Sequence, residues 1–304
     1  FGKEILAVGT SDQVLALGGP ETRVIDLGGR ALLPGFVDAH THLLSEAYNS
    51  GTPTLEEVQD FALQGGTTAI ADMSVDPSVL EQIQALQRQG KLRIRTSLYP
   101  AYNLHCGEVL GDWYLEHPPD LDPAHMLRIP GVKIFTDGWT CGLVPAFSFE
   151  LPDATDPDHL QGDLLLTEEQ LTDILIDLQS AGYQSAIHAL GDRAVENALN
   201  ALEKTLRGAP NIFRHRIEHN MYIKPELLTR YGQLGVVPVV WSSKACFIQD
   251  TASIDSWGGP TTHSWINPWR SLLDANPGLH VAFHSDLSWD EPGPLVHLYS
   301  LVTR

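Results

Sequence analysis

Several apolar runs of this chain end in imidazole, carboxylate or amine side chains whose spacing suits metal-assisted hydrolysis. The first run leads into Asp38-Ala-His40-Thr-His42, the fourth carries Lys133, the fifth ends at His188, the sixth at His219, and the eighth leads into Ser285-Asp286. Successive residues of a strand face opposite sides, so His40 and His42 would share one face and could grip one cation. Each group taken alone has a plainer alternative. A single histidine near a strand end is commonly a hydrogen-bonded core or rim residue, and Asp286 could serve a turn or a cap. Lys133 lies inside an apolar run, where a lone ammonium is costly, so it could form a structural ion pair with Asp72 or Asp137. Five suitable groups at the ends of five runs together point to a metal centre.

Those groups need a scaffold that brings strand ends to one place. Eight strand-like runs are legible: Leu33–Ala39, Thr67–Asp72, Leu92–Leu98, Gly131–Asp137, Gln184–His188, Phe213–His219, Val236–Trp241 and His280–Asp286. Amphipathic helices lie between them. Thr54-Leu-Glu-Glu57 and Thr167-Glu-Glu-Gln170 read as capping boxes, Asp192 as the cap of a helix through Leu206, and Pro225 as a first-turn residue. Gly90 and Gly182 read as helix stops. Eight strand–helix alternations predict a (β/α)₈ TIM barrel, a fold of about 250 residues whose catalytic groups sit at the C-terminal strand ends. The expected division is 1–32, part of an accessory and incomplete β domain with short strands in 5–30, and 33–304, the barrel, with its last helix and C-terminal β strands cut short.

Composition narrows the function. The chain has 304 residues, 43% of them apolar and 19% charged, as an ordinary globular protein has. Its 19 basic and 38 acidic residues give a net charge of −19, which disfavours nucleic acid and anionic membrane partners. No stretch approaches the run of about 20 apolar residues that spans a bilayer. Cys106, Cys141 and Cys246 are widely spaced and read as small buried hydrophobes in a reducing compartment, not as a disulfide framework. With no leader segment visible, the expected location is the cytoplasm. Of the thirteen histidines, His117, His125, His159 and His297 read as surface or loop residues.

At Pro34-Gly-Phe-Val-Asp-Ala-His-Thr-His42 the sequence resembles the opening strand of metal-dependent amidohydrolases. More narrowly, it is similar to the amidohydrolase-3 branch that includes N-substituted formamide deformylases. Further matches follow in order at Val132-Lys-Ile-Phe-Thr-Asp-Gly138, Ala186-Ile-His-Ala-Leu-Gly-Asp-Arg-Ala194, Arg214-His-Arg-Ile-Glu-His219, Pro268-Trp-Arg-Ser-Leu-Leu273 and Ser285-Asp286. The resemblance implies a barrel with a binuclear centre and a flanking β-sandwich. Carried over by position, His40, His42 and Asp286 would hold one divalent metal, and His188 and His219 a second. Lys133, carboxylated by carbon dioxide, would bridge them. Zinc is the default metal. The implied reaction is hydrolysis of a C–N bond, in an amide or N-substituted formamide, by a metal-bridging hydroxide, with Asp286 as the catalytic proton acceptor. The same centre could open an ester, lactone or phosphotriester; a deaminase would not need Lys133, and a metal-free structural relative would show broken ligand positions.

The long loops Tyr99–Arg128, Gly138–Leu166 and Ser242–Asn267 are rich in aromatic residues. Trp139, Trp241, Trp257 and Trp265 are the candidate substrate-binding residues for a small molecule with an apolar group. The alternative is that these rings only pack the loops onto the barrel rim. The loop Gly138-Trp-Thr-Cys-Gly142 departs from the small-residue segment common in the family. A homo-oligomer is compatible with all of this.

Overall fold

A computed structural model describes residues 4–152, 154–242, 264–286 and 293–303. The chain divides into two compact units, Phe1–Pro34 and Gly35–Arg304. In the first, Thr10 caps a short helix α1 (Ser11–Leu15), and the described residues hold no strand. The short strands expected in 5–30 are therefore not formed. A strand needs a ladder partner for its backbone groups, and none of the described residues pairs with this segment.

The second unit is built from parallel strands. They are β1 (Phe36–Thr41), β2 (Thr67–Val75), β3 (Arg95–Pro100), β4 (Leu127–Arg128), β5 (Gly131–Phe135), β6 (Gln184–Ala189), β7 (Arg216–His219), β8 (Val237–Trp241) and β9 (Ala282–His284). Two sheets result, ordered β1-β2-β3-β4 and β5-β6-β7-β8-β9. They meet at both edges. Ala101 bridges Lys133 in parallel, and the Tyr102 amide donates to the Lys133 carbonyl at 2.9 Å. At the other edge the Asp286 amide donates to the His40 carbonyl at 3.0 Å. Each of the eight expected runs overlaps one of these strands, with β1, β2, β3 and β6 extending one to three residues past the expected ends, and only the two-residue β4 was not expected.

Helices separate the strands: α2 (Leu43–Ser50), α3 (Leu55–Gln64), α4 (Pro77–Arg88), α5 (Glu168–Ser180), α6 (Asp192–Leu206), α7 (Leu228–Leu234), α8 (Trp269–Ala275) and α9 (Pro294–Thr303). Thr54 and Thr167 form both capping boxes, each hydroxyl accepting from the amide three residues on. Gly90 and Gly182 take positive φ after α4 and α5, the conformation that lets glycine end a helix. Asp192 is not a cap. It is the first residue of α6, behind Gly191, and its carboxylate instead accepts from the Ser148 amide at 3.1 Å and pairs with Lys224 at 3.0 Å. Ile70, Leu98, Val132, Ile134, Ile187 and Ile217 of the strands pack with Val58, Leu80, Ile83, Leu171, Leu175, Val195, Leu199 and Leu202 of the helices. This sheath fixes the strand ends relative to one another. Among the described residues, no helix is long and apolar enough to cross a membrane.

One buried contact makes stability pH-dependent. His215 accepts from the Ser185 amide at Nδ1 (3.0 Å), and its Nε2 lies 3.2 Å from Gln179 Oε1, so the fold uses the neutral imidazole. Burial pushes its pKa down from 6.5 to about 4. The unfolded chain takes up the proton first, so this contribution is complete above about pH 6.5 and is lost as the pH falls toward 4. It is on the order of 3 kcal/mol. Urea unfolding of wild type and His215→Gln at pH 7 and pH 4.5 checks it. The wild type should lose more stability between the two pH values, and equal losses would remove His215 as the cause.

Candidate metal centre

The ladder register carries chemistry to one end of the ring. Lys133 aligns with Ala186 and Phe135 with His188 between β5 and β6, Ala189 with His219 between β6 and β7, and Trp241 with His284 between β8 and β9. His40, His219, His284 and Asp286 present ligand atoms that all lie within 4.8 Å of one another. His40 Nε2 is 3.0 Å and His42 Nε2 3.6 Å from Asp286 Oδ1. His188 joins on the far side, its ring centre 4.5 Å from that of His219. Lys133 is fully buried, and its Nζ lies 4.7 Å from the centre of the Phe135 ring. Of the residues proposed as ligands, His40, His219 and Asp286 meet directly, His42 and His188 adjoin them, and Lys133 is buried against Phe135, whose ring packs 4.9 Å from that of His188; the structure adds His284.

Neighbouring groups aim the first two imidazoles. His40 Nδ1 is 2.7 Å from Glu218 Oε2, and His42 Nδ1 is 3.1 Å from the Met73 carbonyl, leaving Nε2 of each ring turned to Asp286. Glu218 is itself held by Arg216, whose Nε and terminal nitrogen donate to its two oxygens at 2.5 and 2.7 Å. Burial pushes the Glu218 carboxyl up, but the Arg216 guanidinium and the His40 hydrogen bond outweigh it and hold the group well below the usual range. Glu218 was not singled out in the sequence, although it directly precedes His219.

Three more carboxylates, Asp72 and Asp137 buried and Asp38 half-buried, serve backbone amides. Asp38 accepts from the Ser285 amide at 3.1 Å and from the Ser285 hydroxyl, tying β1 to the segment that carries Asp286. Asp72 accepts from Leu44 and Ser45 at the start of α2. Asp137 gathers the amides of Ala146, Leu190 and Gly191, and burial raises it to about 7. Neither Asp72 nor Asp137 forms an ion pair with Lys133 among the described contacts. His219 and Asp286 have φ of 68° and 61°. Histidine and aspartate tolerate this left-handed region better than most residues, at a cost of order 1–3 kcal/mol, and such strain concentrates at functional sites.

The donor chemistry fits a cation. Both ring nitrogens of His188 and of His284, Nδ1 of His219 and Nζ of Lys133 are buried without a hydrogen-bond partner. Burial lowers the pKa of His188, His219 and His284 well below 6.5, which leaves them neutral, the form that ligates metals. Burial likewise lowers Lys133 to about 8.

The aromatic candidates fall in different places. Trp241 is buried, its ring 5.2 Å from His219, and its Nε1 donates to the Ser285 carbonyl. Trp139 is 39% exposed and stands 6.0 Å from Trp241. Trp265 packs 6.3 Å from Phe149, whose ring lies 4.9 Å from that of Phe147. Trp257 lies outside the described residues, as does Cys246. The cysteine expectation needs correction: Cys106 and Cys141 are exposed and joined in a disulfide. The loops after β3 and β5 bring together positions 35 residues apart, a proximity that spacing alone could not show. His297 also differs from expectation. It is buried, with Nδ1 3.1 Å from the Ser242 hydroxyl.

A profile described as the amidohydrolase family matches residues 23–76 and 54–304. Protein LONG AFTER FAR-RED 3 of Arabidopsis thaliana is 27% identical over 267 residues, covering 80% of this chain and 42% of that one. An N-substituted formamide deformylase of Arthrobacter pascens is 38% identical over 65 residues, 19% of this chain and 12% of the other. The crystal structure of an uncharacterized metal-dependent hydrolase from Pyrococcus furiosus superposes with a TM-score of 0.68 at 24% identity. It covers 86% of this chain and 53% of that chain. The chain therefore spans about half the length of the Arabidopsis and Pyrococcus proteins.

Proposed function

Since this chain belongs to the amidohydrolase family, we propose that it is a metal-dependent hydrolase cleaving the C–N bond of an amide or N-substituted formamide. The observation that carries the reading is the convergence of His40, His219 and His284 on the Asp286 carboxylate, with Nδ1 of His219 and both ring nitrogens of His284 buried and without hydrogen-bond partners. In this reading His40, His42 and Asp286 hold one divalent cation, zinc by default, and His188 and His219 a second. Lys133 would serve both as a carbamate: its neutral amine would add carbon dioxide and release a proton, gaining the anionic oxygens an ammonium lacks. Bound cations would supply Lewis acidity, acidifying water and polarising the substrate carbonyl. The chain's own residues do the rest. Asp286 takes the proton released as water attacks and returns it to the departing amine nitrogen. Glu218 holds His40, and Asp38 holds the Ser285–Asp286 segment, so the carboxylate stays aimed. Trp139, beside Trp241, is placed to meet an apolar group on a small substrate.

Elemental analysis, together with a panel of N-acyl, N-formyl, ester, lactone and phosphotriester compounds, tests this reading. Close to two metals per chain, activity on the amide or formamide members, and loss on chelation are expected. Activity of the metal-free protein would sink the mechanism. Turnover confined to esters or phosphotriesters would move the substrate class.

A further inference from the structure

We propose that His284 is a ligand of the metal centre, sharing one cation with His40, His219 and Asp286. The inference rests on the metal-dependent reading above, adds a donor to it, and redistributes two of its ligands: His219 joins the cation of His40 and Asp286, and His42 passes to the second. Along β9 the side chains alternate. Phe283 is 36% exposed whereas His284 is 1% exposed, so His284 faces into the ring together with Asp286 two residues later. The neighbouring strand β1 ends beside it with His40 fully buried, and the Asp286–His40 backbone bond locks the two segments side by side. His284 consequently lies over His40, ring centres 4.8 Å apart at 26°, and edge-on to His219 at 5.0 Å. Trp241 stacks against the His284 ring at 5.9 Å and 21°, which fixes its plane.

A ligand role follows from what His284 lacks. A buried imidazole left without partners is costly, and native structures rarely keep one. Outside the centre the rule holds: His215 and His297 are buried and both are hydrogen-bonded. His284 has no partner at either nitrogen, although three other potential metal donors surround it. One cation shared by these four groups would receive three imidazole nitrogens and one carboxylate oxygen, a donor set suited to zinc or cobalt. It would also leave His42, His188 and Lys133 for a second cation.

Cobalt(II) titration of the metal-stripped protein tests the assignment, with His284→Gln and His284→Ala beside wild type. Affinity is read by chelator competition, and coordination by visible absorption and by counting imidazole ligands with X-ray absorption. Wild type should bind. Both variants should lose at least about 100-fold in affinity for one equivalent, the upper end of what losing a mere supporting residue costs, and show one imidazole fewer. His215→Gln, which removes a buried histidine bonded to Ser185 and Gln179, should bind as wild type does. Urea unfolding of the metal-free proteins checks that His284→Gln folds. Unchanged affinity and spectrum in that variant would overturn the ligand role while leaving the hydrolase reading intact. A wild type that binds no cobalt or zinc would overturn both.

Discussion

Asp286→Asn is expected to lower kcat by about 10²–10⁴-fold while KM moves little, because the amide keeps the shape of the carboxylate but cannot take a proton. Burial alone would raise the Asp286 carboxyl; the imidazoles of His219 and His40 outweigh it and hold the group well below the usual range. It is therefore ionised throughout the neutral range and ready to accept. The ring of histidines remains in the variant, so much of the metal should be retained, and elemental analysis separates lost chemistry from lost metal. Steady-state kinetics on any substrate from the panel gives the result. An unchanged kcat, or a loss proportional to lost metal, would remove the proton-transfer role.

Lys133→Met should have the second large effect, with two signs. Activity and about one equivalent of metal should disappear together, since methionine cannot form a carbamate. The metal-free protein should meanwhile become more stable, by on the order of 1–3 kcal/mol at pH 7. The sign comes from burial: the folded-state pKa is lowered to about 8 from 10.5, so the folded chain carries an ammonium it holds less readily than the unfolded chain does. A methionine of similar length fills the space without that cost. Metal analysis, thermal unfolding of stripped protein, and carbon-13 NMR after exposure to labelled carbon dioxide give independent readouts. Retained metal and activity would reduce Lys133 to a packing residue. Stripped variant less stable than stripped wild type would show that the amine has a favourable partner in the fold.

Much of the barrel was legible because its signals are local. Thr54 and Thr167 announce helix starts through hydrogen bonds that span three residues, and Gly90 and Gly182 announce stops through a backbone conformation few other residues accept. Strand ends bearing His40, His42, Lys133, His188, His219 and Asp286 were legible as a set, since each group alone has a structural use but their recurrence at the ends of five runs does not. His284 was also within reach. It stands two residues before Asp286, as His40 stands two before His42, and the same alternation argument would have placed it inside. Glu218 was harder, because its importance lies in a 2.7 Å contact with His40, 178 positions away in the chain.

The sequence by itself determined the order of strands and helices, the ends at which chemistry collects, and the residue types able to bind a cation. Those follow from period, caps and side-chain chemistry, each written within a few neighbouring residues. Only the tertiary structure decided which groups meet. Closing the ring set His284 against His40, placed Arg216 and Glu218 behind that imidazole, and joined Cys106 to Cys141 across two loops. It also left the segment before Pro34 without strands, because a ladder needs a partner, and pairing is a property of the fold, beyond any single segment.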